Sequence, residues 1–141
     1  MTLLVDTSVL VKWFHAEGEG EVDAARSLLS GHRAGTERVL VLDLALYEVG
    51  NVMLRPLRLS ATSVTAVLTA LRAACGPFLT PPPSWDGVAA SLGARHGLSF
   101  YDAAWAAAAR ALEVPLVSAD RQLLGAGLAV SATEAADRLR G

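Results

Sequence analysis

Four acidic residues lie beside or within apolar segments, which is an unusual place for a charge. Asp6 directly follows the apolar run LLV, Glu48 lies within ALYEVGN, Asp102 within SFYDAAW, and Asp120 ends LVSAD. Burying an unpaired carboxylate costs several kcal/mol or more. The chain must therefore turn at these positions, or the carboxylates must bind something.

If the carboxylates bind something, their chemistry favours a hard divalent cation, because such ions prefer oxygen ligands and Mg²⁺ keeps several of its waters. The sequence does not contain the ligand spacings typical of a zinc site. His15, His32 and His96 lack the i, i+4 spacing of a zinc helix, and Cys75 is not part of a CxxC motif. We expect these four residues to be solvated or packed.

Three of the acids also have an ordinary structural explanation. Asp6 and Asp120 each precede a predicted helix, where an aspartate commonly caps the N-terminus by accepting backbone N–H bonds. Ser99 and Asp102 match the S-x-x-D capping signature. Both explanations, capping and binding, stay open for these residues on the sequence alone.

Glu48 has no capping role, because it lies in the middle of LALYEVGNVML, a helix that is apolar on nearly every face. Its ordinary explanation would be a buried partner such as Arg55 or Arg58, or an exposed stripe that it shares with Asn51. We favour a functional role for this glutamate.

The elements that must position these acids alternate between strands and helices. The predicted strands are LLVD (3–6), RVLVLD (38–43), a proline-rich edge strand FLTPPP (78–83), VPLVSAD (114–120) and LAV (128–130). The predicted helices cover 7–15, 22–30, 44–56, 60–74, 84–96, 99–113, 121–127 and 133–141. This alternation predicts an α/β fold with a central parallel sheet of four or five strands, covered on both faces. Ligands bind beyond the carboxyl ends of such strands, so the four acids could meet at one edge.

Composition sets wider limits. With 141 residues, 52% hydrophobic and 18% charged, we expect a single domain over 1–141. The net charge of −2 means that any nucleic-acid contact must use a local patch. No apolar run approaches the roughly 20 residues of a membrane span. The lone Cys75 and the lack of a signal-peptide pattern in MTLLVDTSVLVKW predict a cytoplasmic protein.

Four strings carry a resemblance to a known family. VDTSVLVKW, ALYEVGN, GLSFYDAAWAAAA and LVSADRQLL, in this order and with these separations, resemble the PIN-domain nucleases, and most closely the VapC-type toxins of toxin–antitoxin pairs. The likeness extends over nearly the whole chain. It implies a three-layer α/β/α fold and an endoribonuclease that depends on Mg²⁺ or Mn²⁺. The attacking group would be a water activated by the metal.

The resemblance also implies roles for individual residues and partners. By matching position, Asp6, Glu48, Asp102 and Asp120 would form the catalytic, metal-binding quartet. Ser118 would act beside the last acid, with Ser8 and Asn51 as supporting residues; in this sequence Ser118 stands where threonine is frequent in the family. The likeness further implies a type II toxin–antitoxin system, with RNA as substrate, a small antitoxin as partner, and a homodimer.

The cationic residues near the acids have two interpretations. Lys12 closely follows the first strand, and Arg55 and Arg58 follow the glutamate helix, so all three could bind RNA phosphates. The arginines could equally flank a helix end, where cations complement the helix dipole. Trp13, Phe14 and Trp105 fit helical apolar patterns, and we expect them in the core or at a dimer interface.

Two rival classes, a phosphohydrolase and a receiver domain, each lack a required residue in this sequence. A haloacid-dehalogenase-type phosphohydrolase needs D-x-D, whereas Asp6 is followed by Thr7 and Ser8. A receiver domain needs a late lysine, whereas Lys12 is the only lysine in the chain. The serious alternative is a non-catalytic PIN-like module that binds RNA or a protein.

Overall fold

A computed structural model describes residues 1–141 and contains three parallel strands. These are β1 (Thr2–Val5), β2 (Arg38–Leu40) and β3 (Leu116–Val117), in the order β2-β1-β3. The central strand β1 pairs Leu4 with Leu40 on one side and with Leu116 on the other. The predicted α/β class and parallel sheet are confirmed.

Eight helices surround the sheet. They are α1 (Thr7–Phe14), α2 (Val22–Ala34), α3 (Leu44–Leu54), α4 (Ala61–Cys75), α5 (Asp86–His96), α6 (Phe100–Leu112), α7 (Arg121–Gly125) and α8 (Ala132–Arg140), with a 3₁₀ turn at Pro83–Trp85 before α5. None of them is long and apolar enough to cross a bilayer.

The prediction of four or five strands was wrong. The proline-rich segment contributes one residue, Leu79, which pairs with Leu42, and the last predicted strand contributes only Val130, which pairs with Val117. Pro81, Pro82 and Pro83 have no backbone N–H to donate, so that segment cannot continue a ladder. The sheet therefore has three strands, with single pairs of residues extending its two edges.

Capping residues fix where several helices begin and end. The Ser60 hydroxyl accepts from Ser63 N, and the Ser99 hydroxyl accepts from Asp102 N at 3.1 Å, as the sequence predicted. Helix α2 runs to Ala34, beyond the predicted end at residue 30, and its C-cap is Gly35, whose φ of +80° suits glycine. Gly31 is tolerated within the helix, although glycine is a poor helix former.

Apolar side chains cover both faces of the sheet. Leu3, Leu4 and Val5 are consecutive on β1 and all are buried, and consecutive strand residues point to opposite faces. The core also takes in Trp105 of α6 and Trp13 of α1, as predicted, and Trp13 Nε1 donates to the Ala25 carbonyl at 2.8 Å. This covered sheet presents only the ends of its strands to a ligand.

Candidate active site

All four predicted acids line one cavity of about 660 Å³. Asp6 directly follows β1, and Asp120 follows β3 three residues after its end. Glu48 lies in α3, the helix after β2, and Asp102 lies in the first turn of α6. The cavity is therefore at the carboxyl ends of the parallel strands, where α/β sheets bind their ligands.

Asp6 is 4% exposed, and all its hydrogen bonds come from uncharged donors. Its Oδ1 accepts from Ser8 N at 3.1 Å and from Ser8 Oγ at 2.6 Å, and its Oδ2 accepts from Ser118 Oγ at 2.6 Å. Burial raises the pKa of Asp6 to about 6, although the two serine hydroxyls oppose that rise. This buried carboxylate has no cationic side chain as a partner.

The hydroxyls of Ser8 and Ser118 are held with their protons toward Asp6. Ser8 Oγ accepts from Ala119 N at 2.8 Å, and Ser118 Oγ accepts from Asp120 N at 3.0 Å. Because each hydroxyl has one proton, accepting from the backbone leaves that proton free to be donated to the carboxylate. The two serines thus join the end of β1 to the segment after β3 through Asp6.

Glu48 is half-buried and is held through one of its two oxygens. Its Oε1 accepts from Thr7 Oγ1 at 2.9 Å and from Trp105 Nε1 at 3.1 Å, which leaves Oε2 without a protein donor. Burial raises the pKa of Glu48, the Asp102 charge adds to the rise, and the Trp105 and Thr7 bonds oppose it. The partners of this glutamate are Trp105 and Thr7. Arg55 and Arg58, which the sequence suggested, form no ion pair with it.

Asp6 and Asp120 combine the capping and cavity roles that the sequence left open. Asp120 Oδ2 accepts from Leu123 N at 2.9 Å, which caps α7, and the Asp6 carboxylate caps α1 in the same way. Asp102 lines the cavity from the first turn of α6, and the cap of that helix is Ser99, whose hydroxyl accepts from the Asp102 backbone N–H. Burial and the charge of Asp120 raise the pKa of the Asp102 carboxyl.

The cavity carries more negative than positive groups. A fifth carboxylate, Glu19, also lines it, and its cations are Lys12 and Arg121. Lys12 is 5% exposed, and its ammonium donates to Glu19 Oε1 at 3.1 Å and to the Gly20 carbonyl at 2.8 Å. The four predicted acids therefore have no cation bound to them.

The donor set fits a hard divalent cation that keeps part of its hydration shell. Every candidate ligand in the cavity is an oxygen, and no histidine or cysteine lines it. No three acidic, histidine or cysteine side chains lie close enough together to hold one ion directly. A cation here would be bound by one or two carboxylates and by water, as Mg²⁺ usually is.

His32 has a structural role outside the cavity: its Nδ1 accepts from Val39 N at 3.0 Å and its Nε2 donates to the Ala74 carbonyl at 2.7 Å.

The remaining predicted site residues divide into two groups. Ser8 lines the cavity, and Ser118 is fully buried behind it. Asn51, Arg55 and Arg58 are exposed and do not line the cavity.

Four residues that help form the site were not predicted from the sequence: Thr7, Glu19, Arg121 and, as a partner of Glu48, Trp105. A signal existed only for Trp105, because a buried indole N–H usually finds a hydrogen-bond acceptor.

A sequence profile described as PIN domain matches residues 3–127, and the chain therefore belongs to the PIN domain family. A relative from Pyrobaculum aerophilum, named Exonuclease VapC9, is 32% identical over 90 residues, which cover 62% of this chain and 66% of that protein. The alignment thus spans about two thirds of the relative's length.

Solved structures have the same fold. The crystal structure of PAE2754 from Pyrobaculum aerophilum is 26% identical with a TM-score of 0.73, over 99% of this chain and 90% of that one. Mycobacterium tuberculosis VapC20, a toxin that cleaves the sarcin-ricin loop, is 21% identical with a TM-score of 0.68, over 89% and 95%. A toxin-antitoxin complex from Klebsiella pneumoniae is 16% identical with a TM-score of 0.65, over 92% and 97%. These likenesses agree with the PIN fold that the sequence predicted.

Proposed function

We propose that this protein is a ribonuclease that requires Mg²⁺ or Mn²⁺ and hydrolyses RNA phosphodiester bonds. One observation carries the proposal. Asp6 is buried at the carboxyl end of the central strand, its pKa is raised by burial, and it has no cationic partner. Because the fold stabilises the charged form of Asp6 poorly, a divalent cation that binds this carboxylate should stabilise the folded protein.

The four carboxylates have separate tasks in this proposal. Asp6, Glu48 and Asp102 would hold the cation, directly or through water, and Asp120 would hold a second ion or orient the attacking water. When bound, a divalent cation neutralises the phosphodiester and lowers the pKa of a water molecule. The carboxylates of this chain supply the negative charge that retains the cation and accept the proton that the water loses.

The neighbouring residues act as positioning groups. Ser8 and Ser118 donate to the two oxygens of Asp6, which fixes the plane of that carboxylate. Thr7 and Trp105 both donate to Glu48 Oε1, so Oε2 is the oxygen available to a ligand. Preorganised groups of this kind contribute to catalysis because they need not reorient during the reaction.

We further propose that the enzyme is an endonuclease and the toxin of a type II toxin–antitoxin pair, acting in the cytoplasm on RNA and bound by a small antitoxin. The VapC name of the Pyrobaculum relative and the RNA-cleaving M. tuberculosis neighbour support a VapC-type nuclease. The relative is named an exonuclease, so the position of the cut must be tested separately from the chemistry.

A homodimer through α3 and α4 is also proposed. Helix α3 exposes two large apolar side chains seven residues apart and therefore on one face, Tyr47 at 80% and Leu54 at 50%. Exposed apolar side chains that share a face are a common feature of protein interfaces.

A non-catalytic module that binds RNA or a protein is the competing function. Such a module has no need to retain four carboxylates around one cavity without paired cations, and that arrangement favours the enzyme. RNA cleavage distinguishes the two functions, because only the enzyme breaks a covalent bond.

The experiment uses a 5′-labelled linear RNA and a circular RNA of the same sequence, each incubated with Mg²⁺, Mn²⁺ or chelator. The proposal predicts that both RNAs are cut in the presence of metal and that neither is cut with chelator. Cleavage of the linear RNA alone would make the enzyme an exonuclease. Failure to cut either RNA, with RNA binding retained, would establish the binding module instead.

A further inference from the structure

We infer that Arg121 binds a backbone phosphate of the nucleic-acid substrate at the wall of the acidic cavity. The inference rests on the proposed function, which it deepens by naming a residue that holds the substrate. Its starting point is the charge balance of the cavity, which has five carboxyl groups and only two cationic side chains. An approaching phosphodiester, which is itself an anion, needs a cation that is free to bind it.

The two cations of the cavity are in different states. Lys12 is 5% exposed, and its ammonium is bonded to Glu19 and to the Gly20 carbonyl. The three ion pairs of the protein are Lys12 with Glu19, Arg138 with Glu134, and Arg140 with Asp137. Arg121 is exposed and takes part in none of them, although it directly follows Asp120 in the sequence. It is therefore the cation of the cavity that is available to a ligand.

The chemistry of arginine suits this task. A guanidinium group presents several N–H donors in one plane and can donate two parallel hydrogen bonds to a phosphate. Arg55 and Arg58, which the sequence suggested for this contact, do not line the cavity. The geometry thus moves the phosphate contact from the end of α3 to the first residue of α7.

The side chain of Arg121 makes no hydrogen bond or ion pair within the protein. Its replacement should therefore change RNA binding without destabilising the fold. Arg121→Gln keeps a long polar side chain and removes the charge. Arg95→Gln is the matched control, because Arg95 is likewise exposed but does not line the cavity. Arg121→Lys keeps the charge and loses the planar donor pair.

The test measures binding of a short labelled single-stranded RNA by fluorescence anisotropy in Mn²⁺ over a range of salt concentrations. All proteins carry Asp6→Asn so that the RNA stays intact. Arg121→Gln should weaken binding about tenfold, the loss expected for one charge-assisted hydrogen bond. It should also lower the slope of log affinity against log salt by about 0.7, the value for one phosphate contact on a single strand. Arg121→Lys should bind with intermediate affinity, and Arg95→Gln should bind like its parent.

Single-turnover cleavage by the corresponding proteins with Asp6 intact completes the test. Arg121→Gln should raise the enzyme concentration needed for half-maximal rate about tenfold and change the maximal rate much less. Equal affinity and equal salt slope for Arg121→Gln and Arg95→Gln would overturn the inference, whether or not the wild type cleaves RNA. If the wild type cleaves nothing but RNA binding still depends on Arg121, the nuclease proposal fails and this contact stands. If none of the proteins binds RNA, both fail.

Discussion

Trp105 Nε1 donates a hydrogen bond to Glu48 Oε1 at 3.1 Å, which joins a core residue to a carboxylate of the acidic cavity. Trp105 is 1% exposed and packs in α6, while Glu48 lies in α3. The bond crosses between two helices that are far apart in sequence. Core packing and the position of a proposed catalytic acid are therefore coupled through a single indole.

Replacement of Trp105 by phenylalanine should lower the rate of RNA cleavage about tenfold and change the affinity for RNA little. Phenylalanine keeps most of the apolar volume but cannot donate, so Glu48 retains only the Thr7 bond and its pKa rises further. The acidic limb of the pH–rate profile should move to higher pH. Trp13→Phe is the matched control, since Trp13 is also buried and its N–H donates to a backbone carbonyl outside the cavity. Both variants should lose about 1–3 kcal/mol of stability. Equal rates for the two variants would contradict this role of Trp105.

The stability of the metal-free protein should depend on pH through Asp6. Its pKa is about 6 in the folded protein against 3.8 ordinarily, so the folded state binds the proton more tightly than the unfolded state. This group therefore favours folding at low pH, and its contribution is lost as the pH rises from about 4 to about 6. The difference in free energy of unfolding between Asp6→Asn and wild type should therefore depend on pH. From pH 4 to pH 7 it should change by about 2–3 kcal/mol in favour of the variant, because only wild type loses the contribution of this carboxyl. Urea unfolding in chelator at several pH values measures this difference, and a constant difference would refute the assignment.

Addition of Mg²⁺ or Mn²⁺ at neutral pH should raise the melting temperature of the wild type by about 5–15 °C at concentrations near 100 times Kd. The cation relieves repulsion among carboxylates whose charged forms the fold disfavours. Asp102→Asn should reduce the gain, whereas Asp86→Asn should keep it, because Asp86 is exposed and outside the cavity. Thermal melts with and without chelator give the result. No shift at millimolar metal would argue against a cation site.

Lys12 should prove to be an anchor for the loop at residues 15–21. Its buried ammonium binds Glu19 and the Gly20 carbonyl, so Lys12→Met would leave a carbonyl and a partly buried carboxylate without their donor. We expect a loss of about 1–3 kcal/mol of stability and faster amide exchange in residues 15–21. Glu19→Gln keeps an acceptor and should lose less. An unchanged stability with weaker RNA binding would instead assign Lys12 to the substrate.

The site was predictable from the sequence where its chemistry is local. Asp6 and Ser8 lie within three residues of each other, and Ser118 and Asp120 form a second short motif, so the strings that carried the resemblance also contained them. The contribution of Arg121 and Glu19 was not predictable, because it depends on how the loop after α1 and the start of α7 close over the strand ends.

Strand lengths were predicted less well than helix positions. The caps at Ser60 and Ser99 act within one turn and are visible in the sequence. Pairing in a sheet instead depends on a distant partner strand, so the apolar run LAV reads as a strand although only Val130 pairs.

The most direct test of the central claim is single-turnover cleavage of RNA by wild type, Asp6→Asn and Asp86→Asn in Mn²⁺, with thermal melts of each protein. We expect Asp6→Asn to remain folded and to lose at least about 100-fold in rate, equivalent to about 2.7 kcal/mol of transition-state stabilisation. Asp86→Asn should cleave like the wild type. Cleavage by Asp6→Asn at the wild-type rate would contradict the claim that the buried carboxylate behind β1 takes part in metal-dependent hydrolysis.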